Sequence, residues 1–426
     1  MMPRELDVRL DARCIGRLSE AGDLWAFAYD DAWREAADGF DLAPALPRRA
    51  GRIVDGASQR PVQWFFDNLL PEEGARRLLA GDAGLGVDDA FGLLQHYGRE
   101  SAGALTLLPP GEVQPDGDLR PLPDPVLSAR IRALPRLPLS HDAPKRMSLA
   151  GAQHKLAVVL DGDTLYEPVG GSASTHLLKP DHDDTARWPH SAANEWFVMR
   201  LAAAVGLPVP EVALRRVPEP VFLVRRFDRI GHGAAVQRRH AIDACQLLGL
   251  APAFKYSQAS AANLARVAEA CRQTATTRQA LLRWWLFNLL VGNTDAHLKN
   301  LSLMPEAGGL VLAPHYDLLS TAAYRDGAWG HEPLVTPAGN ATRAGDVRRE
   351  HVVAFGAELR LPPRLVLQQL DAMLDQVPAR ARELLARFEA DARGPAAAGE
   401  ARLLRQIVHG PIEDMRRQLA APGKAA

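Results

Sequence analysis

The sequence predicts an α+β protein with a strand-rich first half and a larger helical second half. Three observations lead there. Short alternating apolar segments fill the first hundred residues, and a hairpin-like stretch follows a proline-rich interval near residue 145. Beyond about residue 241 the apolar spacing turns helical and stays so to the end, apart from short apolar segments near LSLM and GLVLAP.

The elements follow in order. LDVRL at 6–10 and LWAFAY at 24–29 alternate as strands, and PVQWFFDNLLPEEGARRLLA at 61–80 has helical spacing with a break at Pro71. Residues 1–110 therefore read as a small α+β module. From Pro109 to Pro144 there are nine prolines, a density that predicts a linker or extended segment over 111–144 without helix or central strand. A second unit is expected over 145–245. KLAVVLDGDTLYEP (155–168) predicts a hairpin with an Asp-Gly turn at 161–162, THLLKP a short strand, and VPEPVFLVRRFDRI another strand. HSAANEWFVMRLAAAVGLPVP predicts a helix from about 191, ending at Gly206 and Pro208. Residues 246–426 form the helical part.

Bulk properties narrow the function. With 426 residues, 47% of them hydrophobic, the chain can bury a large core and form more than one lobe. Its 50 basic and 51 acidic residues argue against a general polyanion-coating protein. Cys14, Cys245 and Cys271 are too few and scattered for a disulfide framework or a thiolate metal site. The N-terminus MMPRELDVRLDARC carries charge where a signal peptide is apolar, and the most apolar segment, near 281–292, is broken by Arg283 and Asn288. A soluble cytoplasmic protein without a membrane partner is expected.

The chemistry is concentrated in VGNTDAHLKNLSLM (291–304), directly behind the apolar run LLRWWLFNLL. Asp295 and Asn300 stand at Asp-x4-Asn spacing, which suits phosphoryl transfer: a carboxylate near the attacking hydroxyl and an oxygen ligand for Mg²⁺. His297 and Lys299 lie between them as donors toward the γ-phosphate. The competing reading makes Asn293, Thr294 and Asp295 a helix cap. Asp317, in PHYDLLS 17 residues after Asn300, is a candidate metal carboxylate or else the N-cap of a short helix LLSTAAY. Lys179 on its short strand and Glu195, 16 residues on, would form a lysine–glutamate pair that holds nucleotide phosphates. The chain lacks G-x-G-x-x-G and G-x-x-x-x-G-K-[ST]; its candidate phosphate loop is KRMSLAGAQHKLAVV (145–159), where small Ala150, Gly151 and Ala152 admit backbone N–H groups and Lys155 adds charge.

Taken together, MSLAGAQHKLAVV, THLLKP, NEWFVMRLA, RRFDR, GNTDAHLKNLSL and PHYDLLS resemble the HipA-like serine/threonine kinases, the toxins of bacterial toxin–antitoxin pairs. FFDNLLPEEGARR and SAGALTLLP are similar to that family's N-terminal subdomain. The resemblance implies a protein-kinase-like bilobal fold with an additional N-terminal α+β subdomain and a mainly helical C-lobe. It implies Asp295 as catalytic base, Asn300 and Asp317 as Mg²⁺ ligands, and Lys179 on the ATP phosphates. Ala150, Gly151, Ala152, Gln153, His154 and Lys155 become the phosphate loop; Ile242, Asp243 and Ala244 contact adenine through backbone, and Tyr316 flanks the nucleotide. Ser148 is the implied autophosphorylation site that ejects the loop and inactivates the kinase. A HipB-like helix-turn-helix antitoxin, operator DNA reached mainly through it, and an aminoacyl-tRNA synthetase as translation-related substrate are the implied partners.

The chain departs from the family in three places. Arg225 stands where a glutamate usually precedes RFDR, His154 where an acidic residue is common, and the basic segment AGNATRAGDVRREH (338–351), with Arg343, Arg348 and Arg349, is shorter. Two other functions stay open on sequence: a metal-dependent phosphohydrolase built on Asp295, His297, His315 and Asp317, and a catalytically silent co-repressor subunit.

Overall fold

The computed structural model describes residues 3–231, 236–325, 329–391, 393–394 and 396–420. The chain divides into two compact units. The first contains residues 1–183, 215–254 and 303–305; the second contains 184–214, 255–302 and 306–426.

The first unit opens with an antiparallel sheet of β1 (Arg4–Leu10), β2 (Arg13–Ala21), β3 (Leu24–Tyr29), β4 (Arg52–Val54) and β5 (Leu105–Leu108), in the order β4-β3-β2-β1-β5. Alternation sends Leu6, Val8, Leu18, Trp25 and Phe27 into the core, and the bulge opposite Val8 and Arg9 buries Ile15 as well. The module is completed by α1 (Asp31–Glu35), α2 (Pro61–Asp67), α3 (Glu73–Ala83) and α4 (Ala90–Tyr97), and the break expected at Pro71 falls between α2 and α3.

A second, six-stranded sheet runs β10 (Val212–Arg216), β11 (Pro220–Arg225), β9 (His176–Pro180), β7 (Leu156–Asp161), β8 (Thr164–Val169), β6 (Asp118–Pro121). The proline-rich interval corrects the sequence expectation in one respect, because beside the edge strand β6 it supplies a helix, α5 (Asp124–Ala133). The prolines fall where helix and sheet tolerate them. Pro123 is the N-cap and Pro125 sits in the first turn, where no N–H is needed, and Pro135 follows the end of the helix. Pro121 closes an edge strand. Helix α5 then buries Leu127 in a cluster with Leu156, Val158, Leu178 and Val221, so the interval is packed structure. The β7–β8 hairpin turns one residue later than expected: Asp161 pairs with Thr164, which leaves Gly162 (φ 55°) and Asp163 as the loop.

Between the two sheets of this unit lies an ionic core. The Glu100 carboxylate meets Lys145 at 2.9 Å, Arg229 at 3.0 Å, and Arg226 and Arg238 at 3.3 Å, and accepts the Ser174 hydroxyl at 2.7 Å. Asp228 binds Arg226 at 2.6 Å and Arg229 at 3.0 Å and accepts the Gly103 N–H at 2.7 Å. Arg238 belongs to the small hairpin of β12 (Arg229–Ile230) and β13 (Gln237–Arg238). RFDR is therefore a structural motif. Burial alone would raise the Glu100 pKa, but Lys145 and the three arginines outweigh it and hold the carboxyl well below the usual range. The unit closes with β14 (Ile242–Asp243) and α7 (Ala244–Leu248).

The second unit contains α6 (Ser191–Ala204), α8 (Ala261–Ala270), α9 (Thr274–Val291), strands β15 (Ser302–Glu306) and β16 (Gly309–Leu312), a hairpin β17 (Pro333–Ala338)/β18 (Ala341–Arg343), and α10 (Arg349–Glu358), α11 (Pro363–Asp391), α12 (Ala397–Ile407) and α13 (Glu413–Leu419). Residues Leu303–Pro305 of β15 are counted with the first unit. Helix α9 is buried nearly all round over its last three turns, from Leu281 to Val291. The β17/β18 hairpin was not expected from sequence, since two of the six residues in PLVTPA are prolines. In the basic segment, Arg348 donates to the Gly345 and Val347 carbonyls and Arg349 pairs with Asp371 at 2.8 Å, so both serve the fold. Among the described residues no helix is long and apolar enough to cross a membrane.

Removing the central carboxylate tests the ionic core. Glu100→Gln is expected to lower the unfolding free energy by about 3–5 kcal/mol in urea titrations, because buried cations lose their partner. Since the folded-state pKa of Glu100 is depressed, its contribution is in place above the ordinary value of 4.5 and is lost as pH falls below it. The variant should therefore lose the part of the acid sensitivity that Glu100 supplies.

Candidate active site

In the second unit the polar stretch after α9 is built from that helix outward. Gly292 ends α9 in the left-handed region (φ 67°), and a Cβ there would lie 2.5 Å from Ala322, so only glycine fits. Asn288, the polar residue inside the apolar run, donates to the Trp284 carbonyl (2.9 Å) and accepts from the Asn293 amide (2.7 Å). The Asn293 side-chain oxygen in turn accepts the Asp295 N–H at 3.0 Å. Thr321 accepts the Thr294 N–H at 2.7 Å and donates to the Gly292 carbonyl at 3.1 Å. Side chains thus hold the loop as far as the short 3-10 turn Leu298–Asn300.

Asp295 and Asn300 are brought together. The Asn300 amide donates to the Asp295 carbonyl at 2.9 Å, which fixes the side chain so that Nδ2 faces the carbonyl and Oδ1 is directed away from it. One Asp295 carboxylate oxygen accepts the Tyr256 hydroxyl at 2.6 Å. The Tyr256 ring also packs edge-on to His297, 4.9 Å between centroids. His297 and Lys299 are both buried. The Tyr316 hydroxyl donates to the Lys299 carbonyl at 2.7 Å and lies 2.8 Å from the Ser302 hydroxyl, bracing the loop from its far side.

Asp317 takes a left-handed backbone (φ 58°) outside any helix, so it is no N-cap. Such a conformation is uncommon for a residue with a side chain and is maintained by its surroundings. Downstream, the Asn194 amide donates to the Ser320 carbonyl (2.8 Å) and its oxygen accepts the Ser320 N–H (2.8 Å). Among the described residues no three His, Cys, Asp or Glu side chains gather closely enough to hold a metal ion. Asp317 and Asn300 would supply one carboxylate and one amide oxygen, few protein ligands, as suits Mg²⁺, which keeps several waters and takes other oxygens from phosphates. His315 does not join them. Burial, then Arg283, presses its pKa to about 4, and its ring stacks on Trp284.

In the first unit, Lys179 sits on β9 opposite Phe222, its ammonium 5.9 Å from that ring centroid, and is buried. Glu195 lies on α6, in the second unit. The phosphate-loop candidate turns at Gly151 (φ 104°), where a Cβ would come 2.6 Å from the Lys155 ammonium; Lys155 itself donates to the Ala150 carbonyl at 2.6 Å. Gln153 donates to the Pro180 carbonyl at 3.3 Å, and His154, whose pKa burial lowers although Asp183 stands 3.9 Å away, completes the stretch beside Ala152. Ser148 is 0% exposed and donates to the Leu69 carbonyl at 2.7 Å. Asp243 caps α7, accepting from the Gln246 N–H at 2.8 Å, between buried Ile242 and Ala244.

The sequence matches the HipA-like C-terminal domain over residues 147–381 and the HipA N-terminal domain over residues 6–108. The chain belongs to the HipA family. The HipA serine/threonine-protein kinase toxin of Shewanella oneidensis is 30% identical over 401 residues, 89% of each chain. Y4mE of Sinorhizobium fredii, provisionally named a kinase, is 41% identical over 76% of this chain and 79% of its own. The crystallised complex of Shewanella oneidensis HipA, HipB and operator DNA contains a chain that superposes with a TM-score of 0.79 at 27% identity, covering 97% of this chain and 99% of that one. These matches support a kinase of the HipA type with the α+β kinase-like fold.

Sequence reasoning missed Tyr256, Asn194 and Thr321. Each lies in a different segment from the residue it positions, and no local spacing marks it.

The core histidines set an acid limit to stability. The folded-state pKa of His315 and of His240 is about 4, against an ordinary value of 6.5, so between those pH values only the unfolded chain takes up the proton. Stability should fall as pH drops through that window, by up to about 1.4 kcal/mol per pH unit for each histidine. His315→Gln should remove one of the two contributions from the slope measured by urea unfolding.

Proposed function

We propose that the chain is an ATP-dependent serine/threonine protein kinase and the toxin of a toxin–antitoxin pair. The observation that carries this is the loop in which Asn300, tied to the Asp295 carbonyl, presents its oxygen, while Tyr256 holds the Asp295 carboxylate. This is the pairing of base and metal ligand that phosphoryl transfer requires. It favours the kinase over the phosphohydrolase, one of whose four groups, His315, is a core residue.

Asp295 orients the substrate hydroxyl and takes its proton. The hydroxyl oxygen bonds to the γ-phosphorus, the bond to the β-phosphate oxygen breaks, and ADP leaves. Asn300 and Asp317 would hold Mg²⁺, which would supply charge neutralisation to the phosphates. Lys179 binds phosphate oxygens, as do the N–H groups from Ala150 to Lys155, while Lys299 and His297 add positive charge or hydrogen bonds near the γ-phosphate. The backbone at Ile242–Ala244 contacts adenine, and Tyr316 flanks the nucleotide. Ser148 is the autophosphorylation site. The substrate class is a translation-related protein, with aminoacyl-tRNA synthetases as the first candidates from family likeness. A HipB-like antitoxin and, through it, operator DNA are the proposed partners, supported by the Shewanella complex.

Mass spectrometry after incubation with Mg²⁺-ATP, beside an Asp295→Ala control, tests this. Phosphate on Ser148 in the wild type and none in the control is expected; absence of phosphate and of ATP turnover in both overturns the kinase. Tyr256→Phe should slow turnover about tenfold, the order of one lost charge-assisted hydrogen bond. The acidic limb of its pH–rate profile should move upward, since the bond it removes favours the ionised carboxylate.

A further inference from the structure

The left-handed backbone at Asp317 is not favoured by its own residue type, so the segments on either side of it must hold it. Both are tied to α6 or its surroundings, within the second unit. Upstream, the His315 N–H donates to the Pro208 carbonyl at 2.7 Å, in the segment that follows α6, and Tyr316 is bonded to the Lys299 carbonyl. Downstream, Asn194 of α6 binds Ser320 twice, accepting its N–H and donating to its carbonyl, each at 2.8 Å. Asn194 and Ser320 are both 0% exposed, so water does not stand ready to replace these bonds. The next two residues lie on the end of α9. The Gly292 carbonyl accepts the Thr321 hydroxyl (3.1 Å) and the Ala322 N–H (2.9 Å). Thr321 also accepts the N–H of Thr294, the neighbour of Asp295, at 2.7 Å.

We propose that Asn194 is a positioning residue for the metal ligand: by clasping Ser320 it fixes the backbone at Asp317 and keeps it in register with the loop that carries Asp295 and Asn300. The proposal rests on the Mg²⁺ site proposed above. Two observations carry it. Ser320 is three residues from Asp317, too few for the chain between them to absorb a displacement. The strap Ser320–Ala322 is shared with the Gly292–Thr294 end of the catalytic loop, so its position sets the spacing between that loop and Asp317. Without Asn194, Ser320 has a buried N–H and a buried carbonyl unpaired, and the strap must move to satisfy them. Asp317 is where that movement is taken up, because a left-handed backbone has no local preference to resist it. The loss therefore falls on cation binding.

Two readouts on the full-length chain test this. In hydrogen exchange read by mass spectrometry, without metal or nucleotide, Asn194→Ala should speed exchange of the 317–322 amides by about tenfold. Electron paramagnetic resonance of Mn²⁺ in the presence of ADP should show its dissociation constant raised about tenfold in the same variant. Tyr324→Phe removes the bond from the Asn194 amide to the Tyr324 hydroxyl (3.0 Å) and keeps both bonds to Ser320, so it should leave the two readouts nearly unchanged. Exchange in α9 should stay unchanged in both variants, which shows that the fold is intact. Unchanged exchange at 317–322 in Asn194→Ala overturns the clasp, and so does an equal effect from Tyr324→Phe. Faster exchange with unchanged Mn²⁺ affinity overturns the link to the metal ligand. Mn²⁺ bound no more tightly by the wild type than by Asp317→Asn overturns the Mg²⁺ site itself, while the exchange result still decides the clasp.

Discussion

A carboxylate without access to water is tolerated only where positive charge is packed against it, and at Glu100 that charge comes from side chains 45 to 138 residues further along the chain. The requirement acts in both directions. Arg226, Arg229 and Lys145 are themselves buried, so none of them is stable there without Glu100 and Asp228. One charge cluster thus joins the N-terminal module, the RFDR strand end, the β12/β13 hairpin and the entry to the phosphate loop. Its residues have the composition of an active site and the function of a keystone.

In the second unit the same physics produces a different result. The polar residues behind α9 are partnered one by one. Asn288 holds Asn293, Asn293 holds the Asp295 N–H, and Asn300 holds the Asp295 carbonyl. These bonds orient the Asp295 carboxylate without neutralising it, and the Tyr256 hydroxyl fixes one of its oxygens. A buried apolar helix gives the loop a rigid base, and rigidity is what the proposed catalytic base and metal ligand would require. The left-handed backbone at Asp317 belongs to the same economy of position: an unfavourable local conformation kept by the surrounding fold.

Much of this was legible locally. Alternation located β1 and β3, and helical spacing located α2 and α3, because each pattern reports which face is buried; the β7–β8 hairpin was marked by its Asp-Gly turn and α6 by its stop at Gly206 and Pro208. The proline-rich interval misled, since proline density says nothing about where in an element each proline falls. Counted by position, Pro123, Pro125 and Pro135 bracket α5 instead of breaking it. The β17/β18 hairpin escaped for the same reason. Spacing singled out Asp295, Asn300 and Asp317 as candidates, because their relation runs along the chain. It could not find Tyr256, which meets Asp295 from 39 residues away, or Asn194, which meets Ser320 from 126.

The sequence by itself determined the family, the α+β class and the identity of the chemical groups, because motifs and periodicity are properties of neighbouring residues. Only the tertiary structure decided which polar residues are chemical and which are structural. RFDR and Glu100 became a buried ionic core, His315 a neutral core imidazole, and Ser148 a buried hydroxyl on the Leu69 carbonyl. The physical reason is common to all three. Burial and charge partners set what a side chain can do, and both are supplied by segments distant in the chain.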